Sequence, residues 1–168
     1  MVQSNHHPVP GPGTYFFTVR LRDADGDLLT RYIDLLRLSV RLCQFRHPFV
    51  VEDAVVLPNR VHTIWTLPPK DHDFAVRWQI IKSTFAQHLP TGAGVPDARR
   101  VWQRRFWEQS ILTFADLAEC RDLIRQAPVQ SGLVADPAAW PYSTQNRIAR
   151  LTARSGTVVP LRVIDGSR

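Results

Sequence analysis

The stretch best equipped for chemistry is Ala54-Val-Val-Leu-Pro-Asn-Arg-Val-His-Thr-Ile-Trp-Thr-Leu-Pro68. Side chains alternate along a strand, so Arg60, His62, Ile64 and Thr66 share one face, and Val61, Thr63, Trp65 and Leu67 the other. Two histidines at i and i+2 would point together and could hold one divalent metal against a phosphate. Here the residue two before His62 is Arg60, whose guanidinium has no lone pair for a metal. His62 alone then has two readings: a surviving metal ligand, or a histidine satisfied by a hydrogen bond. Arg60 is either a solvated surface charge or a cation that holds a phosphate without cutting it.

A second candidate is Trp102-Gln-Arg-Arg-Phe106. Trp102, Arg104, Arg105 and Phe106 interleave cations with aromatics, which suits phosphate contact and base stacking on single strands. The plainer alternative is one core face and one solvated face of a strand. Lys82 follows on a helix. The tyrosines are Tyr15, in an apolar strand, Tyr32, at a helix start, and Tyr142, in a Trp-Pro-Tyr-Ser turn. His6 and His7 precede the fold and offer little.

The 168 residues carry a net charge of +6 with an isoelectric point near 10.1, and their lysines are Lys70 and Lys82 alone. Arginine forks onto phosphate and stacks on bases, so this balance suits a nucleic-acid partner, although a codon bias would give the same skew. No apolar run approaches the roughly 18 residues a spanning helix needs, so no membrane role is expected. Met1 to Gly13 lacks an apolar h-region, and no signal peptide is expected there. Cys43 and Cys120 lack metal spacing, which fits a reduced, cytoplasmic setting.

The elements that must position these groups follow from periodicity. Thr14 to Leu21 is aromatic and β-branched, a strand closed by Asp23-Ala-Asp-Gly26. Asp34 to Arg46 spaces Leu35, Leu38, Leu42 and Phe45 as the apolar stripe of a helix. Phe49 to Leu57 and Val61 to Leu67 form a hairpin around Pro58-Asn59. Phe74 to Leu89 is a second helix with Phe74, Trp78, Ile81 and Phe85 on one stripe. Val101 to Leu112 reads as a ragged strand. Thr113 and Asp116 make a capping box for a third helix carrying Leu117, Cys120, Leu123 and Ile124, ended by Pro128 and Gly132. The order β-α-β-β-α-β-α predicts an α+β, ferredoxin-like fold: an antiparallel sheet with helices packed on one face. Residues 1–13 are expected to be a flexible lead-in, 14–145 the domain, and 146–168 a basic, mobile tail.

The strand around His62 resembles the HUH strand of REP-associated tyrosine transposases, which are similar to the IS200-like, single-tyrosine group. Their motif has the form V-V-L-P-x-H-x-H-x-I-W-T-L-P. Gly13 to Val19 resembles the family's opening strand, and Arg77-Trp-x-x-Ile-Lys82-x-x-Phe85 its central helix. Trp102-Gln-Arg-Arg-Phe-Trp-Glu108 is similar to the segment before the catalytic helix. Ala127-Pro-Val-Gln-Ser-Gly-Leu-Val134 and Trp140-Pro-Tyr-Ser143 resemble its N-P-V-K-x-G-L-V and W-P-x-S signatures. The resemblance covers residues 13 to 146. It implies cleavage and rejoining of single-stranded DNA beside palindromic hairpins through a 5′-phosphotyrosine, with a divalent metal (magnesium or manganese in active relatives) polarising the phosphate.

The departures fall on that chemistry. Arg60 replaces the first histidine, and His62 is the sole surviving ligand position. Register places Leu123 at the nucleophilic tyrosine, where it is expected to pack against the sheet. Ala127 and Gln130 replace the ends of N-P-V-K, and Gln109 replaces a histidine. With no catalytic residue intact and no cofactor expected, the leading expectation is a protein that binds single-stranded or hairpin DNA without cleaving it. Arg60, Lys82, Trp102, Arg104, Arg105 and Phe106 would make the contacts. A nicking enzyme with a relocated tyrosine such as Tyr142, and an RNA-binding or structural remnant, are the alternatives. A homodimer is possible.

Overall fold

A computed structural model describes residues 10–92 and 94–147. Four strands, β1 (Thr14–Arg20), β2 (Val50–Leu57), β3 (Arg60–Thr66) and β4 (Trp107–Ser110), form one antiparallel sheet in the order β2-β3-β1-β4. The helices are α1 (Leu28–Arg31), α2 (Ile33–Arg46), α3 (Phe74–His88) and α4 (Phe114–Gln130). The fold is therefore α+β with the ferredoxin-like strand order.

The alternation of β1 divides the core. Phe17 and Val19 face one side with Val61 and Trp65 of β3, under α2 and α3. Phe16 faces the other side with Val55, Leu57 and Ile64, under Leu117, Cys120, Ile124 and Ala127 of α4. Packing on the first face is the arrangement expected. The second face is not left open, because α4 returns across it, chiefly over β2 and β3. The order of elements alone does not say to which side a last helix folds. Each fully buried Ile or Leu contributes roughly 1.5–3 kcal/mol to holding these layers.

The hairpin turns on Pro58 and Asn59, as the sequence predicts. The third helix begins at the predicted capping box: Thr113 accepts from the Asp116 N–H, and Asp116 accepts from the Thr113 N–H. Pro128 does not end α4; it lies buried in the last turn, and Gly132, at φ +71°, ends it. The last turn is closed instead by N–H donors beyond the proline, from Ser131 to the Ala127 carbonyl and from Leu133 to the Pro128 carbonyl.

Two expectations are overturned. The buried stripe of α2 is Leu36, Ser39 and Cys43, while Leu38, Leu42 and Phe45 are exposed. The small side chains let α2 approach α3 closely: Ser39 donates to its own helix at the Leu35 carbonyl, and the Cys43 thiol donates to the Arg77 carbonyl. The expected strand from Val101 to Leu112 is reduced to β4. Its first part runs past the end of β1, with Trp102 bridging Leu21 and the Gln103 N–H donating to the Arg20 carbonyl, before the chain joins the sheet at Trp107.

The ends of the domain also shift. The Gly11 N–H donates to the Ile111 carbonyl and the Leu67 N–H to the Gly13 carbonyl, so the hydrogen bonds of the fold reach back to residue 11. Asn146 donates to the Pro137 and Trp140 carbonyls, so the fold runs past 145. His6, His7 and the expected tail from 148 onward lie outside the described residues. The segment 142–144 covers the outer edge of β2: the Val56 N–H donates to the Tyr142 carbonyl, and the Ala54 N–H to Thr144 Oγ1. An edge strand paired in this way is closed to other chains.

Candidate nucleic-acid interface

Directly paired residues of neighbouring strands point to the same side of a sheet. Val55, His62, Thr18 and Trp107 therefore form one row across the second face, and Leu57, Arg60 and Arg20 form the row beside it. His62 is buried, with its Nδ1 2.8 Å from Thr18 Oγ1 and its ring stacked on Phe16 at 6.0 Å. Burial, reinforced by the Arg60 and Arg20 charges, lowers its pKa to about 4, so it is neutral at pH 7. The hydrogen-bonded reading of this histidine is the one the geometry supports.

Arg60 is half-buried and held at its tip. Its guanidinium donates to Asn59 Oδ1 at 3.2 Å and to Ser131 Oγ at 2.6 Å, just past the end of α4. Burial and the neighbouring Arg20 charge lower its pKa from the usual value. It is thus a positioned cation at the junction of β3 and α4, not a loose surface charge. Arg20, beside it in the register, is exposed.

A divalent metal, which the HUH resemblance implies, does not fit these residues. The donor that should partner His62 is a cation with no lone pair, and a second cation lies alongside, so that with Nδ1 bonded to Thr18 the site offers a metal the His62 Nε2 alone. Among the described residues no cluster of three or more His, Cys, Asp or Glu could hold a metal. Gln109 lies on this face opposite Phe16, one row further along, and Ala127 is buried on the sheet-facing side of α4.

The remaining expected site residues divide. Leu123 does not pack against the sheet: it is 39% exposed, because α4 buries the neighbouring stripe through Cys120, Ile124 and Ala127. Lys82, Trp102 and Phe106 lie on the opposite side of the sheet, with α3. Lys82 Nζ donates to the Gln103 carbonyl at 2.8 Å and sits 5.5 Å from the Phe106 ring centre. The Trp102 ring N–H donates to the Lys82 carbonyl at 3.0 Å, and its ring packs edge-on against Phe85. Phe106 packs on Phe17, Phe74 and Trp78. These three fasten the 101–106 segment to α3, and the buried Trp102 is no open stacking surface. Arg104 and Arg105 are exposed on that segment.

None of the three tyrosines stands on the His62 face. Tyr15 and Tyr32 pack against the α2/α3 core, with the Tyr15 hydroxyl 3.0 Å from His72 Nδ1. Tyr142 lines a cavity of about 980 Å³ together with Leu36, Val61 and Trp65, on the far side of the sheet from His62. The residues that sequence reasoning passed over are Arg20, Ser131 and Trp107. Alternation would have found Trp107: with Phe106 turned into the core, its neighbour must point the other way.

No family model matches the chain. It is 39% identical over 135 residues to a REP-associated tyrosine transposase of Escherichia coli, covering 80% of this chain and 78% of the relative. A putative REP-associated tyrosine transposase of Haemophilus influenzae is 34% identical over 142 residues, covering 80% and 81%. Among solved structures, a REP-associated tyrosine transposase bound to a REP hairpin superposes with a TM-score of 0.75 at 37% identity, covering 89% of this chain and 87% of that one. A putative transposase from Deinococcus radiodurans shares the fold alone, at TM-score 0.50 and 14% identity. At 39% identity over four-fifths of its length to a REP-associated tyrosine transposase, the chain belongs to the REP-associated tyrosine transposase family.

Proposed function

We propose that this protein binds hairpin DNA carrying a single-stranded flank and does not cut it. The observation that carries this reading is Arg60. Its guanidinium, fixed by Ser131 and Asn59, puts a positioned charge where the motif calls for a metal ligand. A guanidinium grips phosphate with charge-assisted hydrogen bonds but cannot activate a nucleophile as a Lewis acid does. Arg20, Arg104 and Arg105 extend the positive charge over exposed surface. Phosphate affinity is spread over many such contacts, so it outlives the loss of two catalytic groups.

A hairpin-bound relative at 37% identity supports the choice of DNA partner. The cleaving alternative loses support because Tyr142, its best nucleophile, is separated from His62 by the thickness of the sheet. The test is a binding titration with a labelled hairpin that has a single-stranded flank, followed by a denaturing gel after incubation with magnesium or manganese. Binding without a covalent band is expected. A covalent band overturns the non-cleaving part, and no binding at low salt overturns the whole reading.

A further inference from the structure

We infer that Trp107 is a stacking platform for an unpaired base in the single-stranded flank, an inference that rests on the hairpin-binding reading above. Trp107 is the first residue of β4 and is 64% exposed. Single exposed apolar residues need no explanation by themselves, so its surroundings must decide.

Three features do. First, Trp107 pairs with Thr18, whose other neighbour is His62, so the indole stands on the same face as the Arg60 cation. Two strand spacings, about 10 Å, separate it from the His62 strand. Second, among the described residues α4 packs chiefly over β2 and β3, at the far side of the sheet order, and Trp107 at the start of β4 stays exposed. Third, cations lie close in the chain and the register. Arg20 lies two residues beyond its partner Thr18 and Arg105 two residues before Trp107, both exposed, while Arg104 lines the groove with Lys82 and Phe106 on the α3 side. Phe45 and Phe114 are more exposed still, but neither stands in this row of the sheet.

A wide aromatic face flanked by phosphate-gripping cations is the arrangement that holds single strands, because every base offers a π-face and every nucleotide a charge. The stacking role expected of Trp102 and Phe106 therefore passes to Trp107. Phe106 turns into the core, and its neighbour turns out to the open shelf. The flank, and not the interior of the stem, is the part recognised here, since bases inside the stem are stacked on both faces and have none to offer an indole.

The experiment compares wild type, Trp107→Ala and Trp107→Phe on two hairpins, one blunt and one with a single-stranded flank containing 2-aminopurine next to the stem. Stacking on an indole quenches 2-aminopurine. We expect quenching with wild type, partial quenching with Trp107→Phe and none with Trp107→Ala. Affinity for the flanked hairpin should fall by about 5- to 150-fold in Trp107→Ala, the range that one lost base stack implies. Affinity for the blunt hairpin and the salt slope should stay unchanged, because no phosphate contact is removed. If Trp107→Ala binds the flanked hairpin as wild type does, with the same quenching, the inference is overturned and the hairpin reading stands. If the blunt hairpin weakens equally, Trp107 serves the stem or the fold and the inference is also overturned. Wild type that binds neither hairpin overturns both readings.

Discussion

His62 and Thr18 meet across β3 and β1 in a buried hydrogen bond of 2.8 Å, with Nδ1 facing the hydroxyl. That contact gives the histidine a structural partner on the nitrogen nearest the sheet, while Arg60 and Arg20 in the next row penalise its protonation. The imidazole is also part of the sheet's packing, stacked on Phe16.

A pH dependence follows. Unfolded, His62 titrates near its ordinary value of 6.5; folded, it titrates at about 4. Between those values the unfolded chain binds more protons, so stability is complete above pH 6.5 and is lost progressively as pH falls towards 4. The shift corresponds to about 3 kcal/mol over the window. Urea unfolding at pH 7, 5.5 and 4.5 should therefore show a steeper loss for wild type than for His62→Gln. Parallel curves would show that the histidine takes up its proton as readily in the fold as in the unfolded chain.

How much of this was legible in the sequence depended on whether a feature is local. Pro58-Asn59 between two β-branched runs fixes the hairpin within four residues, and Thr113 with Asp116 fixes the start of α4. The stripe of α2 was not legible, because Leu35, Leu38, Leu42 and Phe45 have helical spacing as good as that of Leu36, Ser39 and Cys43. Only docking on α3 selects the smaller set. Trp102 and Phe106 read as an open aromatic surface until Lys82 and Phe85 are brought up against them. The motif strand revealed Arg60 directly, whereas its anchor Ser131 lies 71 residues away and needs α4 folded back.

Asp53 should prove one of the more sensitive polar positions. Its carboxylate is buried on β2 and accepts from Thr144 Oγ1 at 2.6 Å, from Gln145 Nε2 at 3.0 Å and from Arg121 Nε at 3.1 Å. It ties α4 and the 143–145 segment to the sheet edge. Hydrogen bonds to a charged group are worth about 1.5–3 kcal/mol net, and Arg121 is exposed enough to recover water. Asp53→Ala should cost about 2–3 kcal/mol in chemical denaturation and should expose the Tyr142 region to limited proteolysis. A variant as stable as wild type would mean that backbone pairing alone holds that edge.

Cleavage should be absent in the wild type with either magnesium or manganese. It should remain absent in Arg60→His and in Leu123→Tyr taken singly. Metal and nucleophile act on one step, so neither restores it without the other. The readout is a covalent protein–DNA band on a denaturing gel with a labelled hairpin. A band from Leu123→Tyr alone would mean that Arg60 substitutes for the metal in polarising phosphate.

The last prediction separates the two groups of arginines by the salt dependence of binding. Each phosphate contact releases counterions, so removing one lowers the slope of log K against log salt by about 0.7–0.9. Arg60 and Arg20 stand in one row of the sheet, Arg60 with its guanidinium already held by Ser131 and Asn59, so little freedom is lost when it grips a phosphate. Arg104 and Arg105 are exposed on a connecting segment and pay more to become ordered. Arg20→Ala/Arg60→Ala and Arg104→Ala/Arg105→Ala should therefore both lower the slope by one to two contacts' worth, roughly 0.7–1.8. The first pair should lose more affinity at equal slope. Lys82→Ala should leave the slope alone, because its ammonium is spent on the Gln103 carbonyl, and should instead lower stability by loosening the 101–106 segment. Titrations of the flanked hairpin between 50 and 300 mM salt decide the matter. If Lys82→Ala lowers the slope while the arginine pairs leave it unchanged, the DNA runs over the α3 side of the sheet and the His62 face is not the interface.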